Sequence, residues 1–156
     1  RAGEERLIAY DLGQRRTFSE LAMLILLLAT LVGTDNPSPE LKKLEGEWVL
    51  VSLDYQGKPN TGAPSKRRLK IEGDEIVYFS GEAKLFTTKV THFDPASSPG
   101  AIDLTRDRDH QAIRGIYKLE GDTLTLCTSS RGGRPTEFTT GPDSPNQLHV
   151  YKRRKP

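Results

Sequence analysis

Cysteine is almost missing from this chain: Cys127 stands alone among 156 residues, beside one Met and one Trp. A single thiol excludes an intramolecular disulfide framework and a Cys-rich zinc site. An excess of one charge is missing too. Lys and Arg number 23 against 21 Asp and Glu, a net +2, which excludes a strongly basic nucleic-acid binder as the first reading. No apolar run reaches the roughly 20 residues of a membrane-spanning helix. The glycines stand singly or as Gly132-Gly133, so no loop is built to cradle a phosphate. A Gly-x-Ser-x-Gly elbow is absent, and no repeat of about 20–50 residues is visible. What is present is 35% hydrophobic and 28% charged residues with 14 Gly and 10 Pro. That is polar for a globular chain but richer in apolar residues than a disordered one. The length suits one domain, or a small domain with an appendage.

The apolar residues are unevenly placed. Leu21 to Val32 reads LAMLILLLATLV, twelve residues in which Thr30 alone is polar. That length falls within the roughly 7–15 residues of a signal-peptide apolar region. Arg15 and Arg16 precede it, as a positive flank would, and Pro37-Ser38-Pro39 follows as a linker. A buried core helix is the alternative, but no polar face interrupts the run. Residues 1–34 therefore read as a leader carrying a signal peptide or membrane anchor, residues 35–40 as linker and residues 41–154 as the folded domain. The expected location is exported: cell envelope, periplasmic or secreted, with residues 21–33 as the anchor if the leader is retained. Membrane contact is expected only through this segment. Residues 1–34 hold four basic and four acidic side chains, so their removal leaves the charge at +2.

Beyond residue 40 the pattern changes to short β runs divided by turn residues. Pro39 to Leu44 makes a short helical turn, with Ser38 as N-cap and Gly46 as its stop. Trp48 to Tyr55 is the first strand, with Val49, Val51, Leu53 and Tyr55 alternating on one face. Leu69 and Ile71, then Ile76 to Phe79, mark the next pair around Gly73-Asp74. Lys84 to Phe93 follows Ser80-Gly81. Ile102-Asp103-Leu104 is short. Ile113, Gly115, Tyr117 and Leu119 alternate before the Gly121-Asp122 turn, and Thr123 to Cys127 returns. Leu148 to Tyr151 closes the chain. No helical pattern of about ten residues intervenes, which argues against βαβ units. The spacing predicts an all-β antiparallel barrel of about eight strands.

Gly46-Glu47-Trp48, at the head of the first strand after a helical turn, resembles the Gly-x-Trp motif of lipocalins. A longer set follows in order: Leu44 to Trp48, Gly57-Lys58-Pro59, Ile71 to Asp74, Ile102 to Leu104, Gly115 to Cys127 and Arg134 to Phe138. Together they closely resemble the uncharacterised lipocalin-like domain family abundant in planctomycete bacteria, over residues 41–153. The resemblance implies a lipocalin-like (calycin) barrel in which Trp48 plugs the closed end. It also implies a basic cover for the indole ring from among Lys152, Arg153 and Arg154, with Arg153 the choice. Family members often carry an export signal. No activity is established for the family, so no enzyme function and no cofactor is implied.

Candidate sites are few. By alternation Val51, Leu53, Tyr55, Tyr78, Phe86, Tyr117 and Leu126 are expected to line the barrel interior. Arg134 and Glu137, in Arg134-Pro135-Thr136-Glu137-Phe138, are read either as a polar rim or as the start of a strand. Gly115 marks a bend or room for a ligand, and Cys127 a small buried residue or a reactive thiol. His92 with Asp94 and Asp107-Arg108-Asp109-His110 are the only local metal candidates, and neither has a third ligand; no metal is expected. Lys152 to Lys155 is a solubilising end or a contact for anionic lipid headgroups. Two functions remain open: a module binding a small hydrophobic molecule, or a structural or protein-interaction domain of the envelope with a filled barrel.

Overall fold

The computed structural model describes residues 38–60 and 66–155. The leader and the first part of the linker lie outside the described residues. Among the described residues no helix is long and apolar enough to cross a membrane.

The helical turn is α1, Pro39–Lys42. The Ser38 hydroxyl accepts from Leu41 N at 3.2 Å, and Pro39 opens the turn where a missing N–H costs nothing. Leu41 and Leu44 are buried and carry the turn onto the barrel end.

Among the described residues nine strands follow: β1 (Gly46–Tyr55), β2 (Lys58–Pro59), β3 (Arg67–Glu72), β4 (Glu75–Ser80), β5 (Ala83–Asp94), β6 (Gly100–Arg106), β7 (Ala112–Glu120), β8 (Thr123–Ser129) and β9 (Asn146–Arg153). All pairings are antiparallel, and β1 pairs both β3 and β9. Setting aside β2, which pairs only with the end of β1, eight strands close into a barrel. Closure leaves the ring without a free edge. The Gly121-Asp122 turn links β7 to β8, with Gly121 at φ +55°.

Three irregularities re-aim the strands. The pairing slips between Leu50 and Ser52 of β1, at Leu85 of β5 opposite Tyr78 and Phe79, and between Val90 and His92 of β5. Each bulge bends its strand, as a closed ring requires. The first overturns the face expected for β1. Trp48, Leu50 and Leu53 are buried, whereas Val51 is 49% exposed and Val49 37%. Val51 is the unpaired bulge residue, so the alternation changes phase there. Tyr55 shares its parity with Leu53 but stands at the strand end, paired with Lys58 and Gln147, and is 44% exposed. The short run expected at Ile102 to Leu104 is a seven-residue strand reaching Arg106.

The interior core includes Trp48, Leu69, Ile71, Ile76, Ile102 and Leu124 with Leu41 and Leu44. Ala101, Ile116 and Cys127 are also buried but lie side by side on the outer face. The segment between β8 and β9 covers them: Pro135 is buried and Cys127 Sγ lies 3.8 Å from the Thr139 carbonyl oxygen.

Candidate functional site

The strand directions place residues 46, 72–75, 94–100, 120–123 and 153 at one end of the barrel. This end is closed. Trp48 is fully buried and its Nε1 donates to the Leu44 carbonyl at 2.8 Å. Arg153 Cζ lies 4.1 Å from the centre of the indole ring. Its Nη1 donates to the Glu45 carbonyl and its Nη2 to that of Lys43 at 2.7 Å. One guanidinium thus covers the ring and satisfies two carbonyls following α1. Gly46, at φ +122°, makes room: a Cβ there would meet Arg153 Nη1 at 3.0 Å. The other basic residues of the C-terminal run are engaged nearby, Arg154 with Glu47 at 3.0 Å and Lys152 Nζ with Thr123 Oγ1 at 2.6 Å.

The opposite end holds a cavity of about 270 Å³. Its apolar wall includes Leu50, Leu104, Ile113 and Phe86. Its polar wall includes Arg67, Arg106, Tyr78, His149 and Tyr151. No Asp or Glu lines it among the described residues. Tyr78 and Phe86 stack with ring centres 4.5 Å apart, and Arg106 stands 5.3 Å from the Phe86 ring.

Burial sets the ionisation of the polar wall. It pushes the Tyr78 hydroxyl up to about 12 and the Tyr151 hydroxyl well above its ordinary range. It lowers the His149 imidazole to about 4, assisted by the charge of Arg67. At neutral pH the wall therefore presents three cationic guanidiniums (Arg67, Arg68 and Arg106), two protonated phenols and a neutral imidazole. Arg106 Nη1 meets Asp109 at 3.1 Å, but its Nε is buried without a hydrogen-bond partner. Such a group costs about 1–3 kcal/mol when left unpaired.

Of the residues expected inside, Tyr78 and Phe86 line the cavity. Leu53 and Leu126 are buried in the core beside it. Tyr117 lies at the closed end, stacked on Phe93 with centres 4.9 Å apart. A Cβ on Gly100 would strike its ring at 2.7 Å, so the glycine lets the ring lie there. Val51 and Tyr55 are exposed, for the reasons given above. Arg134 and Glu137 do not line the cavity: Arg134 Nη2 binds Asp103 Oδ2 at 2.7 Å, and Glu137 is exposed. Leu50, Arg67, Leu104, Arg106, Ile113, His149 and Tyr151 were not expected there. Extending the alternation Ile102, Leu104 by one step reaches Arg106. Stepping back from Arg153 in twos reaches Tyr151 and His149.

The remaining candidates have structural partners. A Cβ on Gly115 would crowd Thr128, Cys127 and Ile102 at 3.0–3.2 Å, so close strand approach occupies the space around it. Burial pushes the Cys127 thiol up, away from thiolate reactivity. Asp94 accepts from Ala96 N and Ser97 N, and Asp109 from Gln111 N. No group of three His, Cys, Asp or Glu residues is placed to hold a metal among the described residues.

No protein-family model matches the chain, and no curated protein matches it.

Proposed function

We propose that this chain is an exported, lipocalin-like binding module whose barrel holds a small, partly apolar molecule. The observation that carries this reading is the cavity of about 270 Å³ opposite the Trp48 plug. An eight-stranded barrel is just wide enough to be filled by side chains or to hold one small ligand. Here the interior around Trp48 is filled, and open space remains at the opposite end. The lining combines apolar walls with a few polar groups, the usual makeup of a small-molecule site. Burial keeps Tyr78 and His149 neutral, which suits hydrogen bonding to a guest rather than proton transfer. The motifs from Gly46-Glu47-Trp48 to Arg134–Phe138 support membership of the lipocalin-like family, and the run Leu21–Val32 supports export.

Native mass spectrometry of the purified chain tests the binding reading. A non-covalent adduct of small mass, released on denaturation, is expected. A chain that carries no adduct and takes up no apolar or amphiphilic probe would be a structural domain instead, as the packed half of the interior favours. Fractionation of expressing bacteria tests export: the chain is expected in the envelope or the medium, and recovery in the cytosol would overturn it.

A further inference from the structure

We propose that the open-end cavity selects a small amphiphilic organic anion, its carboxylate held by Arg67 and Arg106 and its apolar body by Leu50, Leu104 and Ile113. This rests on the binding-module reading and adds to it the charge and size of the guest.

The first support is charge. Four arginines gather at this end: Arg67, Arg68 and Arg106 on the cavity wall, and Arg108 at 5.9 Å from the Phe86 ring; Arg68 is paired with Glu82 at 3.6 Å and Glu47 at 3.9 Å. Facing them, Asp109 meets both Arg106, at 3.1 Å, and Arg108, at 3.7 Å. The neighbouring carboxylate, Asp107, is turned to Thr87 N. The Arg67 side chain makes no ion pair or hydrogen bond with another described residue. The mouth therefore keeps an excess of positive charge in a partly desolvated place, where a guest anion is attracted most strongly.

The second support is hydrogen-bonding character. Arg106 Nε is a buried donor without a partner. The guanidiniums offer only donors, and the Tyr78 and Tyr151 hydroxyls keep their protons. A carboxylate accepts from all of these and offers planar geometry to a guanidinium fork. A cationic guest would meet no carboxylate among the described residues of the wall.

The third support is size. Past the cavity Trp48, Leu69, Ile71, Ile76, Ile102 and Leu124 are each no more than 2% exposed. Close packing there leaves no channel for a long chain. The cavity is slightly below the roughly 300–1,000 Å³ of drug-sized pockets, so a short chain or single ring fits.

Calorimetric titration of the full chain with octanoate, octan-1-ol and octylammonium tests the proposal. Octanoate is expected to bind about tenfold or more tighter than octanol, and octylammonium more weakly than either. Arg106→Gln is expected to bring octanoate down to the level of octanol while octanol binding changes by less than about twofold. Arg67→Gln, at an exposed mouth position, is expected to weaken octanoate alone. Trp48 emission, at the far end, verifies that each variant is folded. If Arg106→Gln fails to fold, Arg67→Gln decides, and unchanged octanoate affinity in it overturns the site. Equal binding of octanoate and octanol overturns the anion proposal while leaving the binding module intact. No binding of any of the three overturns both.

Discussion

At the closed end of the barrel, Trp48 donates to Leu44 and lies beneath Arg153, whose own donors reach the Lys43 and Glu45 carbonyls. At the open end, Arg106 Nε is buried with no partner, and His149 is held far from its ordinary pKa. The closed end pairs its polar groups with one another, whereas Arg106 leaves a donor unpaired on the cavity wall. Unpaired buried donors lower stability, so a fold optimised for stability alone would remove them. Arg106 lines the cavity, so its unpaired donor marks the part of the interior that borders open space.

The largest effect should separate the halves by packing. Leu124 is fully buried beneath the plug. Leu124→Ala is expected to cost about 2–5 kcal/mol, through lost transfer energy and the cavity left behind. Ile113 already borders open space and is only half-buried. Ile113→Ala is expected to cost about 1 kcal/mol, because fewer contacts are lost. Urea denaturation followed by circular dichroism measures both. Equal losses would mean that the open half is as tightly packed as the closed one.

A somewhat smaller effect appears with pH. His149 sits at about 4 against an ordinary 6.5, because burial and then Arg67 disfavour its charged form. Between these values the unfolded chain binds a proton that the folded chain does not. The stability tied to the neutral imidazole is therefore full above pH 6.5 and is lost as pH falls toward 4. The loss is at most about 3 kcal/mol, and less where water in the cavity screens the ring. Comparing urea midpoints between neutral and mildly acid pH for the chain and for His149→Gln isolates this contribution from other acid effects. The variant should show the flatter profile, and parallel profiles would mean that His149 already titrates normally.

The strand sequence, the Gly121 hairpin and the division between core and outer residues from Ile113 to Cys127 were legible because strict alternation survives there. The stack of Arg153 on Trp48 was expected from the resemblance and is present. Most of the cavity wall was not legible. A bulge at Val51 reverses the face of β1, and nothing local in LVSL marks it. Arg106 and His149 are charged or polar residues facing inward, against the ordinary rule that such groups face water. Arg106 also lay beyond the apparent end of its strand, in a run of charges that reads as a solvated turn. Arg134 misled in the opposite sense: its partner Asp103 lies 31 positions away in sequence, and the segment between β8 and β9 must fold over the outer wall to bring the two together.

The smallest effects compare two arginines. Arg153 caps the plug, and Arg153→Ala is expected to cost about 1–2 kcal/mol from a lost cation–ring contact and two released carbonyls. It should also shift the emission of Trp48, the sole tryptophan. Arg134 ties the covering segment to Asp103 on the outer wall, with its side chain 35% exposed. Water already competes for that pair, so Arg134→Ala is expected to cost less than about 1 kcal/mol and to leave Trp48 emission unchanged. Octanoate affinity should not move, because Arg134 does not face the cavity. A fall in octanoate affinity without a fall in stability would place Arg134 at the rim and extend the cationic mouth around the outside of the barrel.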